Sequence, residues 1–168
     1  MVGHAKAERD ATFAAFMTEA TPSLMRTAYL LTGSTDAAAE LVQAALVKTY
    51  AAWPKVRRET ALAYARRILV NQRTDGWRRT HAEVSVAEVP ERPRTEGDLV
   101  GDRDAVVRLL ATLPEHQRKV VVLRYYQDLS EAVAADALGI SVGAVKSAAS
   151  RGLAALRAQL ATTEGGIR

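Results

Sequence analysis

Ala135, Gly139 and Val145 have the most specific spacing in the chain. They fall within SEAVAADALGISVGAVKSAASRGLAAL, residues 130–156, which reads as two short helices joined by a tight turn at Gly139-Ile140-Ser141. Two helices that cross steeply need a small residue where their backbones approach, and Ala135 supplies it. Gly139 can take the positive φ that ends the first helix. Ser141 can cap the second, and Val145 can anchor it in a core. The outward positions include Lys146, Ser147, Ser150 and Arg151, with no acid anywhere from Gly143 to Leu160. The chemistry on offer is recognition rather than bond-making: a cationic helix whose first turn can enter a major groove. An ordinary helical hairpin in a bundle is the alternative that this segment alone leaves open.

A second constellation lies upstream. KVRRETALAYARRILVNQRTDGWRR interleaves cations with Tyr64 and Trp77, and Trp53 stands just before it. Lysine and arginine neutralise phosphates, while aromatic faces and an amide such as Asn71 can hold unstacked bases. A solvated cationic helix face with its aromatics in the core would have the same composition.

Other chemistries lack support. There is no glycine-rich phosphate loop and no nucleophile motif, so an enzymatic role is not expected. The chain has no cysteine, and its three histidines (His4, His81 and His116) are scattered, so neither a metal site nor a cofactor is expected. No apolar run approaches the roughly 18 residues of a membrane helix. The polar start MVGHAKAERD lacks the apolar core of a secretory signal. A cytoplasmic protein without membrane insertion follows as the expectation.

These residues must be positioned by helices. Alanine and leucine are abundant in the first 80 residues and glycine and proline scarce, so the fold class predicted is all-α. The pattern predicts helices at Asp10–Leu31, from Thr35 or Asp36 to Trp53, and Glu59–Trp77. In the third, Leu62, Ala65 and Leu69 share one side, and Tyr64, Arg67, Asn71 and Arg78 the other. Residues 82–101 are acidic, contain Pro90 and Pro93 and lose helical periodicity, as a flexible linker would. Helices resume at Asp102–Leu113, Pro114–Tyr126, Ser130–Leu138 and Ser141–Leu160. The charge follows this division: net +6 over residues 55–79, −4 over 80–105 and +3 over 106–168. Two positive blocks flank a negative tether, which suits two contacts with one polyanion.

Together these segments resemble the bacterial sigma factors of RNA polymerase, specifically the extracytoplasmic-function (ECF) group. LLTGSTDAAAELVQAALVKTYAAW is similar to that family's polymerase-binding helix, and AYARRILVNQRTDGWRR to its minus-ten-reading helix. LPEHQRKVVVLRYYQDLSE followed by LGISVGAVKSAASRGL resembles the minus-thirty-five module. The resemblance implies two small helical domains, sigma domain 2 over residues 10–80 and sigma domain 4 over 102–161, joined by the linker 81–101. It implies core RNA polymerase and promoter DNA as partners, and brings in an anti-sigma factor as a third to be considered.

The resemblance also implies roles for individual residues. Glu40, Leu41, Val42 and Gln43 would meet a coiled-coil clamp on the polymerase core. Trp53 to Thr60, with Arg57 and Arg58, would form a loop receiving a flipped base. Tyr64, Arg67, Asn71 and Arg78 would meet the melted minus-ten strand. Ser141, Gly143, Lys146, Ser147 and Arg151 would lie at the minus-thirty-five groove. Three residues depart from the family's pattern: Ala39 and Ala44 stand where it usually has acids, and Ala148 where it often has arginine, which is expected to remove a cation from the DNA face. Two rival readings are a stand-alone helix-turn-helix regulator and a sigma-like adaptor that binds only protein. A tether of about 20 residues spans at most roughly 65–70 Å. Promoter elements one and a half duplex turns apart are separated by about 50–60 Å.

Overall fold

The structure, a computed structural model, describes residues 2–72 and 98–165, and among these every regular element is helical. In chain order these are α1 Val2–Thr32, α2 Thr35–Ala52 and α3 Ala61–Asn71, then α4 Asp98–Ala111, α5 Glu115–Val121, α6 Glu131–Leu138 and α7 Val142–Gly165. Two 3₁₀ turns, Trp53–Lys55 and Arg58–Thr60, join α2 to α3, and a π-helical turn, Val122–Tyr126, follows α5.

The first half is built on α1. Leu24, Ala28 and Leu31 recur at helical spacing and are buried, as the periodicity requires. Ser34, rather than Thr35 or Asp36, caps α2: its Oγ accepts the Ala37 N–H at 3.3 Å. Ala38, Leu41, Val42 and Ala45 pack α2 onto α1, and Ala65, Leu69 and Val70 close the core from α3. The first helix starts eight residues before the predicted Asp10, because VGHAKAER contains no proline and its one glycine, Gly3, falls in the first turn. In contrast, α3 is shorter at its start than predicted: Arg58–Thr60 winds as a 3₁₀ turn before it. Gln72 leaves the helix with φ −76° and ψ 151°. Trp77, Arg78 and the tether at 81–97 lie outside the described residues.

In the second half, α4 begins at Asp98, inside the stretch predicted to be linker. The helix predicted from Pro114 to Tyr126 divides into α5 and the wider π turn, and Pro114 precedes the helix rather than opening its first turn. Arg118 is 3 % exposed. Its guanidinium donates to the carbonyls of Leu110 (2.9 Å) and Leu113 (2.8 Å) at the end of α4, and to Leu31 (3.2 Å) at the end of α1. Helix C-termini carry unsatisfied carbonyls and partial negative charge, so a buried cation is favourable there. One apolar cluster runs through both halves, from Leu24 and Leu69 to Val107, Leu123 and Val145.

Candidate nucleic-acid interface

The helix-turn-helix is formed by α6 and α7, which meet at 102°. Ser130 Oγ accepts the Val133 N–H at 3.2 Å and so caps α6. Gly139 has φ +65°, the left-handed conformation predicted for the turn. Ser141 Oγ accepts the Ala144 N–H at 3.0 Å, as expected of the second cap. Ala135 and Val145 are buried. With the packing side thus fixed, Ser141, Gly143, Lys146, Ser147 and Arg151 are all exposed, together with Ser150. Lys146 Nζ lies 3.7 Å from Glu131 Oε2 on α6. Ala148 corrects the expectation of a lost cation: it is 2 % exposed and packs in the core, so its side chain is not part of the outward face.

On α3 the two sides separate as the wheel predicts. Ala61, Ala65, Leu69 and Val70 are buried, while Tyr64, Arg67 and Asn71 are exposed. Arg57 and Arg58 are exposed in the turns preceding α3, and Arg57 makes a solvent-exposed ion pair with Glu59 at 3.8 Å. Trp53 is placed differently from the expectation. It is 7 % exposed and its ring lies against Phe13 and Phe16 at centroid separations of 5.1 and 5.0 Å. Its indole N–H donates to Thr12 Oγ1 at 3.1 Å. An indole so enclosed packs the domain and is not presented for stacking on a base.

The α2 patch also divides. Glu40 and Gln43 are exposed, whereas Leu41 and Val42 are buried in the core and hold α2 in place, Val42 also lining the groove beside it. Beside them runs an apolar groove of about 980 Å³ between α1 and α2, lined in part by Met17, Met25, Ala39, Gln43 and Val47. Val47 is 62 % exposed. Periodicity did not single out Met17 or Val47; their signal is an apolar residue on the face where an amphipathic helix should be polar. Arg118 also escaped notice, because a burial of this kind depends on three helix ends meeting. Burial pushes the Arg66 guanidinium below its usual range. Burial, then the Asp104 carboxylate that accepts its hydrogen bond, pushes the Tyr29 phenol above its ordinary value. Among the described residues no group of three or more His, Asp or Glu is placed to hold a metal ion.

Comparison with known proteins agrees with this architecture. Residues 16–83 match the Sigma-70 region 2 family and residues 103–156 match Sigma-70 region 4. The RNA polymerase sigma-E factor of Streptomyces coelicolor is 39 % identical over 141 residues, covering 82 % of this chain and 80 % of that protein. The ECF RNA polymerase sigma factor ShbA of Streptomyces griseus is 40 % identical over 77 residues, 42 % of this chain and 40 % of that protein. Among solved structures, the sigma factor RpoE of Bartonella quintana, in complex with the anti-sigma factor NepR, superposes with a TM-score of 0.68 at 26 % identity, covering 89 % of this chain and 96 % of that one. CnrH, in complex with the cytosolic domain of CnrY, shares the fold, with a TM-score of 0.64 at 23 % identity and coverage of 91 % and 90 %. The chain belongs to the sigma-70 family of RNA polymerase sigma factors. Within it, the chain is an ECF sigma factor, a promoter-recognition factor of transcription initiation.

Proposed function

We propose that this sigma factor divides its work between residues 10–80, which dock on core RNA polymerase and hold the minus-ten element, and residues 102–161, which read the minus-thirty-five element. Glu40 and Gln43, with the groove beside them, contact the polymerase core. Arg57 and Arg58 line the loop that receives an extruded base, and Tyr64, Arg67, Asn71 and Arg78 hold the melted strand. Ser141, Gly143, Lys146, Ser147 and Arg151 meet the minus-thirty-five groove.

Promoter opening by this route requires no bond-making by the factor. Contacts with unstacked bases offset the few kcal/mol of each disrupted step. The factor works where RNA polymerase works, in the cytoplasm, and among the described residues no single helix is long and apolar enough to cross a membrane. The NepR complex of the Bartonella relative supports an anti-sigma protein as a further partner here.

The observation that carries this reading is the exposed, acid-free run on α7 combined on one chain with the exposed Arg67–Asn71 face of α3. A stand-alone regulator has no use for the second, and a protein-only adaptor none for the first. Pull-down with core polymerase followed by run-off transcription separates the three. The sigma factor gives a transcript from a defined start; a regulator binds DNA without polymerase; an adaptor gives no transcript. Lys146→Ala should weaken promoter binding and reduce its salt slope by about 1 if the ammonium meets phosphate.

A further inference from the structure

Between Val142 and Ser150 the one cation on α7 is Lys146. Its ammonium has a neighbour from the other helix of the motif. Lys146 Nζ lies 3.7 Å from Oε2 of Glu131, the acid in the first turn of α6. Both side chains are open to solvent, 63 % and 37 % exposed. An exposed pair of this kind contributes little to folding. The other acid of α6, Asp136, is placed elsewhere: its Oδ2 lies 3.8 Å from Arg67 Nη1 on α3, next to the bond that Asn71 Nδ2 donates to the Ala137 carbonyl at 2.7 Å. Glu131 is therefore the acid of α6 that stands beside the cation of the outward face.

A carboxylate in that place acts on the two kinds of DNA contact unequally. Binding to arbitrary sequence is carried by phosphate attraction, which has little directional demand. The first helix of a helix-turn-helix crosses the DNA backbone, so a negative charge at the start of α6 opposes phosphates of every sequence alike. A base edge such as O6 and N7 of guanine instead offers acceptors in fixed positions to a lysine already in the groove. Selectivity is a difference of affinities, and an element that weakens binding to the wrong sequences increases it.

We propose that Glu131 is a specificity-determining residue: it holds the Lys146 ammonium back from phosphate, so that the cation leaves the carboxylate only where base edges in the groove replace it. The inference deepens, and rests on, the minus-thirty-five role proposed for Lys146.

Glu131→Gln keeps the side chain's length and removes its charge. Affinity of the full-length protein for a 40-base-pair duplex of random sequence should rise about three- to tenfold, and the salt slope should steepen by about 1, the contribution of one added phosphate contact. In the parent, Lys146→Ala should change that slope by much less than 1; in the Glu131→Gln background it should remove the whole gain. Holoenzyme made with core RNA polymerase is then used to select from a pool of random duplexes, and the common minus-thirty-five sequence should be enriched less by Glu131→Gln than by the parent. A residue that only supports the first turn of α6 would shift the melting temperature and leave slope and enrichment where they were; that result overturns the proposal. So does an affinity gain that persists in full without Lys146, since Glu131 would then act by its own repulsion alone. A parent that enriches a sequence which Glu131→Gln enriches equally removes the specificity role and leaves the function intact. A parent holoenzyme that enriches no common sequence removes the promoter-reading role of α7, and this proposal with it.

Discussion

Single residues decide which half of each motif is scaffold and which is surface. Trp53 and Arg57 stand four positions apart in a segment read as one base-receiving loop, but the indole is enclosed by Phe13 and Phe16 while the guanidinium faces solvent. Their substitutions should therefore separate. Trp53→Ala should cost about 3–5 kcal/mol of folding stability through the cavity it leaves. Arg57→Ala should leave stability within about 0.5 kcal/mol, because its exposed pair with Glu59 contributes little. Its effect should instead be a loss of transcript from run-off assays. Denaturant midpoints for both variants check the first contrast, and equal midpoints would contradict it. The identity of Trp53 was evident in the sequence, but its surroundings were not, since Phe13 and Phe16 come from another helix about 40 residues away. The same holds for Ala148, whose place in a motif suggested the DNA face and whose neighbours put it in the core.

At the scale of elements, helix packing is set by where backbones approach. A Cβ added to Gly152 on α7 would lie 2.8 Å from Val121 Cγ2 on α5. In an open helix position Gly→Ala is worth about 1 kcal/mol of added stability. Here the contact reverses the sign: Val121 is β-branched and cannot swing its methyl away, so Gly152→Ala should destabilise by about 1–3 kcal/mol. Val121→Ala in the same chain should recover part of that loss, a coupling that thermal melts of the four-member cycle would reveal. Purely additive melting shifts would show that α5 and α7 are not in the contact described. The helices, the Gly139 turn and the two serine caps were legible beforehand because each depends on residues within a few positions of one another. The close approach at Gly152 was not, since its partner lies about 30 residues upstream.

For the molecule as a whole, the charge pattern suggested two cationic modules on a tether, whereas the described residues form one continuous core. Arg118 contributes to both halves through Leu31 on one side and Leu110 and Leu113 on the other. Both tryptophans, Trp53 and Trp77, lie in the first half, while helical circular dichroism reports on the whole chain. Urea transitions followed by fluorescence and by circular dichroism should therefore coincide. A fluorescence transition displaced from the helical one would mean that the halves unfold independently and that the shared core contributes little.

The sequence by itself determined the all-helical class, the helix-turn-helix with its turn and caps, and the family, because these rest on local periodicity, capping chemistry and motif spacing. Only the tertiary structure decided that Leu41, Val42 and Trp53 face inward, and that Arg67 and Asn71 meet α6. Burial and long-range hydrogen bonds depend on which distant segments come together, and the polar groups proposed to hold DNA are equally able to bond within the molecule.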